Sequence, residues 1–161
     1  MEVTMFPILE PYTVSFFGHR QISSVLQVEE TLERIISQLL QNNEYVEFLV
    51  GRDGAFDLLV SAVVKRCKKK YGEHNSALVW VLPYATAELR DNEEAFSCYY
   101  DEIEICEEAA LCHYKSAFQV RNRRMVDRSD LVIFYVARKS GGAYQTMKYA
   151  ERTGTTFINL G

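Results

Sequence analysis

Four apolar runs, three of them leading through a polar turn into a stretch with helical spacing, constrain this chain more than any other feature. They are Thr13–Phe17, Val46–Val50, "ALVWVLPY" from Ala77 and "LVIFYV" from Leu131, all rich in β-branched and aromatic side chains. Runs of that kind bounded by turn residues read as buried strands. Behind the first, Val25, Val28, Leu32, Ile35, Ile36, Leu39 and Leu40 recur at helical spacing, with Ser23 or Ser24 placed to cap and Asn42-Asn43 to stop the helix. "AFDLLVSAVVKRCKKKYG" reads as a second helix, with Lys65, Arg66, Lys68, Lys69 and Lys70 forming a solvated basic end that suits the helix dipole. "ATAELRDNEEAFSCYY" reads as a loop or short helix, and "DEIEIC" as a half-exposed fourth strand or the start of a helix. "EEAALCHYKSAFQVRNRRMVDRSD" is mostly helical, "AYQTMKYAERTG" is a helix closed by Gly154, and "TFINL" is a last short strand.

Strands alternating with helices of about ten or more residues build βαβ units. The expectation is an α/β fold: a single Rossmann-like domain over residues 1–161, with a mostly parallel sheet of about five to six strands and helices on both faces. A chain of 161 residues is one domain's worth, and 48% apolar with 25% charged residues is a globular composition. The net charge of −4 argues against a nucleic-acid partner, whose phosphates call for a basic surface. No apolar run approaches a membrane span and "MEVTMFPILEPY" lacks the pattern of a signal peptide, so no membrane partner and a cytoplasmic location are expected. Cys67, Cys98, Cys106 and Cys112 form no CxxC pair and read as reduced thiols, with no metal and no cofactor implied. Ten tyrosines and nine phenylalanines exceed the needs of one small core, which suggests a homo-oligomer joined through an aromatic patch.

In an open parallel sheet, ligands sit beyond the carboxyl ends of the strands, where the strand order reverses. Three turns of this chain reach that rim: Gly18-His19-Arg20, Gly51-Arg52-Asp53-Gly54 and Ser140-Gly141-Gly142. Glycine admits a ligand close to the backbone, a helix N-terminus offers unpaired N–H groups, and arginine presents a planar fork to phosphate. Together they predict a phosphate or nucleotide site, although neither GxGxxG nor GxxxxGK[ST] occurs. His19 reads equally as a ligand contact or as a structural side chain bonded to a neighbouring loop. Asp53 reads as an Asx-turn residue, a partner for a ribose hydroxyl or an acid/base group.

From Val14 to Leu160 the chain resembles the SLOG superfamily, named for DNA-processing (Smf/DprA) proteins and Lonely Guy phosphoribohydrolases, and is most similar to its YpsA-like members. The motifs that carry the resemblance are "FFGHR" and "RNRRMVDRSDLVIFYVARKSGGAYQTMKYAERTGTTFINL". The resemblance implies a Rossmann-like fold that binds nucleotides or nucleotide-derived ligands at these strand ends. It matches Arg121, four residues before Met125, to the Lonely Guy arginine, Asp130 to the acidic residue that opens the next strand, Gly141 and Gly142 to the paired glycines, and Thr146 to the threonine of "PGGxGTxxE". Ser140 replaces that motif's proline, and Met147, Lys148 and Tyr149 stand where its catalytic glutamate should be. Phosphoribohydrolase activity is therefore not implied.

Arg121, Arg124 and Arg128 share one side of their helix, so one arginine stripe is expected to face the rim. The expected function is capture of a nucleotide or nucleotide-derived ligand by Gly18, His19, Arg20, Gly51, Arg52, Asp53, Arg121, Ser140, Gly141, Gly142 and Thr146. The alternative is a nucleotide N-glycosidase in which Asp53 or Asp101 supplies the missing carboxylate. A third reading, single-stranded nucleic-acid binding, is disfavoured by the charge.

Overall fold

The computed structural model describes residues 10–161. Every strand-like run becomes a strand of one six-stranded sheet in the order β4-β3-β2-β1-β5-β6, parallel throughout. The strands are β1 (Tyr12–Gly18), β2 (Val46–Val50), β3 (Ser76–Leu82), β4 (Glu102–Ile105), β5 (Leu131–Tyr135) and β6 (Phe157–Asn159). The main helices are α1 (Val25–Asn42), α2 (Ala55–Tyr71), α6 (Tyr114–Asp127) and α7 (Gly142–Thr153). Between β3 and α6 lie the short helices α3 (Ala87–Asp91), α4 (Glu93–Tyr99) and α5 (Glu107–Ala110).

Alternation along each strand divides the core in two. Val14 and Phe16 of β1, with Phe48, Leu78 and Ile133, pack against Leu32 and Ile36 of α1 and Val60 and Val64 of α2. Phe17, Leu49, Val79 and Phe134 point the other way, against Met125 and Val126 of α6 and Ala150 of α7. Helices on both faces explain why β1, β3 and β5 are buried nearly end to end, while the edge strands β4 and β6 keep exposed residues.

The chain lays down β1 to β4 in one direction and then returns to place β5 on the other side of β1. The switch point therefore falls between β1 and β5, where Gly18 pairs with Tyr135.

Some local expectations are corrected. Ser24 holds the N-cap position of α1 in a left-handed conformation with no capping bond from its side chain, and Ser23 Oγ lies 3.0 Å from the Tyr135 hydroxyl instead. The basic end of α2 is not wholly solvated. Lys68 is buried, donates to the Ser76 carbonyl at 2.7 Å and pairs with Asp101 at 3.0 Å.

Candidate functional site

Two interlocked turns build the switch point. A Cβ on Gly18 would lie 2.4 Å from the Phe56 ring, and one on Gly54 would lie 2.5 Å from Arg20 Cα, so the turn after β1 rests directly on the start of α2. The Ala55 N–H donates to the Arg20 carbonyl at 2.9 Å and fastens the two together. On the other side, the His19 N–H donates to the Tyr135 carbonyl, and His19 Nε2 accepts from the N–H groups of Ala137 at 3.0 Å and Arg138 at 3.4 Å. Burial, and secondly the Arg138 charge, push the His19 pKa down, consistent with a neutral ring that accepts at Nε2. His19 is thus a clamp between β1 and the loop after β5.

Arg121 rises into the crevice from α6, one turn after the half-exposed Phe118. It is buried, with Nε donating to Asn122 Oδ1 at 3.0 Å, Nη1 to the Val81 carbonyl at 3.0 Å and Nη2 to Asp53 Oδ2 at 2.7 Å. Asn122 Nδ2 in turn donates to Thr146 Oγ1, whose hydroxyl donates to the Gly142 carbonyl. This chain of bonds joins β3, α6 and α7 beneath the rim. The Asp53 N–H donates to Asp57 Oδ2 at 2.9 Å. Burial, chiefly, raises Asp57 to about 7; the neighbouring Asp53 charge adds to the rise and Arg121 opposes it.

Above this network is a cavity of about 220 Å³. Ligand pockets that enclose a drug-sized molecule span roughly 300–1,000 Å³, so this one has room for a fragment rather than a whole nucleotide. Gly18, His19, Arg20, Gly51, Asp53, Arg121, Gly141 and Gly142 line it, as the sequence placed them. Asp57, Phe118, Asn122 and Arg138 line it as well, and sequence reasoning missed them. Two signals were present: Phe118 precedes Arg121 by one helical turn, and Arg138-Lys139 stands between the last apolar strand residue and the glycine pair.

The remaining candidates lie elsewhere. Arg52 turns to Glu88 and the Tyr100 hydroxyl, each at 3.3 Å, and its guanidinium sits 4.8 Å over the Phe96 ring. Asp101 accepts from the Leu78 N–H near the start of β3, at the end of the sheet opposite the rim. Thr146 is buried as a helix-to-helix link, and Ser140 is exposed outside the cavity. Of the arginine stripe, Arg121 alone faces the rim. Arg124 pairs with Glu108 and Asp127, and Arg128 reaches Glu47 and Glu104, because α6 carries successive turns away from the crevice.

The sequence matches no protein-family model and no curated protein. Solved structures do match. The chain shares the fold of DNA processing protein A. A structure of that protein from Helicobacter pylori, described for its unique single-stranded DNA binding mode, matches with a TM-score of 0.65 at 15% identity, over 92% of this chain and 65% of that one. The Streptococcus pneumoniae DNA processing protein A matches with a TM-score of 0.65 at 16% identity, over 92% of this chain and 50% of that one. The chain thus spans less than two thirds of either protein. Both likenesses show the fold, and neither bears on the YpsA-like refinement.

DNA processing protein A also overturns two expectations. A nucleotide-sized ligand, bound or hydrolysed, and a chain without a nucleic-acid partner are both at odds with the Helicobacter pylori neighbour, described for its single-stranded DNA binding mode. In the site itself Arg121, which the resemblance offered to an anion, is paired with Asp53. Among the described residues, no helix is long and apolar enough to cross a membrane.

Proposed function

We propose that this chain binds single-stranded DNA across the rim between β1 and β5. The observation that carries the reading is a trio of exposed cations, Arg20, Arg138 and Lys139, beside a small cavity with an aromatic wall. None of the three has a carboxylate within ion-pair distance among the described residues, which leaves all three available to phosphate. The first turn of α7, opening through Gly141 at φ 94°, adds backbone N–H groups to the same edge.

Phe118 is 37% exposed, with its ring met edge-on by Tyr84 at 6.0 Å and the Arg121 guanidinium 5.3 Å from its centroid. A partly exposed aromatic ring braced by Tyr84 and Arg121 is a platform for an unstacked base. Bases within a duplex are already stacked, so the arrangement favours single strands. The same proposal keeps the chain in the cytoplasm and lets it self-associate through exposed aromatic side chains.

Fluorescence anisotropy with a labelled mixed-sequence oligonucleotide tests it. Replacing both Arg20 and Arg138 by alanine should weaken binding at least about tenfold and flatten the plot of log K against log salt by about 0.7 per lost phosphate contact. Arg52→Ala is the control and should bind as the unaltered protein does. Failure of the unaltered protein to bind at low salt, or equal binding by the double variant, would remove the proposal.

A further inference from the structure

We infer that the cavity under this rim selects a base carrying an exocyclic amino group, guanine above all, over thymine. The inference rests on the single-stranded DNA reading and adds a sequence preference to it. Its basis is the contrast between the mouth and the floor of the cavity. Arg20, Arg138 and Asp53 line it from the exposed rim, whereas Asp57 lines it from a buried position, so two carboxyl groups face the cavity, one at its edge and one at its floor.

Each carboxyl group uses one oxygen on the protein. Asp53 Oδ2 takes Arg121 Nη2 at 2.7 Å, and Asp57 Oδ2 takes the Asp53 N–H at 2.9 Å. Among the described residues neither Oδ1 receives a donor. Asp57 is only 8% exposed, so an acceptor held there in a lined cavity calls for a donor from whatever enters.

A phosphate beside Asp53 and Asp57 would meet two carboxyl groups and an arginine that is already paired, so that part of the lining suits a hydrogen-bond donor rather than an anion. At about 220 Å³ the cavity suits one base, with Phe118 on its wall for stacking. A base that fits must present N–H groups inward. Guanine offers N1–H and the N2 amino group side by side, two donors for the two Oδ1 acceptors that Asp53 and Asp57 leave free. Cytosine and adenine each offer one amino group. Thymine offers a single N–H between two carbonyl oxygens that the two carboxylates repel.

The test compares thymine 15-mers holding one central guanine, hypoxanthine, cytosine or thymine, by competition anisotropy at pH 8, where Asp57 is ionised. A single guanine should tighten binding at least about fivefold over thymine, as a base contact with two hydrogen bonds does. Hypoxanthine, which lacks only the amino group, should lose most of that gain. In Asp53→Asn and in Asp57→Asn, each checked by thermal melting, the guanine-to-thymine ratio should collapse toward one.

Equal affinity of the unaltered protein for all four oligonucleotides would overturn the inference. If the Arg20 and Arg138 variant still weakened binding in that case, the rim reading would stand alone. Failure of every oligonucleotide to bind would remove both.

Discussion

Asp57 burdens the native state for the sake of the cavity. Its carboxyl titrates at about 7 in the fold against 3.8 for an unperturbed group, with burial the main cause. Between those values the native protein holds a proton that the unfolded chain has released, so this group's contribution to stability falls as pH rises from 3.8 to about 7 and is flat above. Asp57→Asn keeps an oxygen for the Asp53 N–H and carries no charge. It should melt higher than the unaltered protein at pH 8, by the equivalent of ~2–4 kcal/mol, with the difference vanishing near pH 4. Melting curves across that range check the sign, and equal curves at pH 8 would show that Asp57 bears no native penalty. His19 acts in the opposite sense: its lowered pKa withdraws stability as pH falls below 6.5. The sequence offered His19 as a structural side chain bonded to a loop, but neither pKa shift was legible there, because both come from burial, in the case of His19 beside a loop 118 residues away.

At the level of elements, the link between α6 and α7 decides the shape of the rim. Thr146 accepts from Asn122 and donates to the Gly142 carbonyl, so the first turn of α7 is held over the crevice by one hydroxyl. Thr146→Val keeps the shape and leaves the Asn122 amide without its acceptor. A loss of ~1–3 kcal/mol is expected, read by urea unfolding. A change of under about 0.5 kcal/mol would mean that water replaces the hydroxyl. The resemblance marked Thr146 as a site residue, and the fold uses it one layer below the site. The same displacement affects Arg121, which the sequence offered to an anion and the fold commits to Asp53. The resemblance singled out Arg121 but not the partner that reaches it from another loop.

Across the whole molecule, charge is divided between the two ends of the sheet. At the end where the strands start, Glu47 pairs with Arg128 and Asp101 with Lys68, while at the opposite rim Arg20, Arg138 and Lys139 have no carboxylate within ion-pair distance among the described residues. A net charge of −4 sums over both ends and conceals a basic edge, which is why composition argued against a nucleic-acid partner. The sheet itself was plain in the sequence: periodicity gave its strands and helices, and the alternation of the two required parallel pairing. The order of the strands, which sets the switch point, is a property of the folded chain alone. The measurement that addresses the central claim most directly is photocrosslinking of a single strand carrying 5-iodouracil, with the attached peptide identified by mass spectrometry. The account predicts a crosslink to the α6 peptide containing Phe118, lost when excess unlabelled single strand is added. A crosslink confined to the β4 edge or to the outer face of α7 would contradict it.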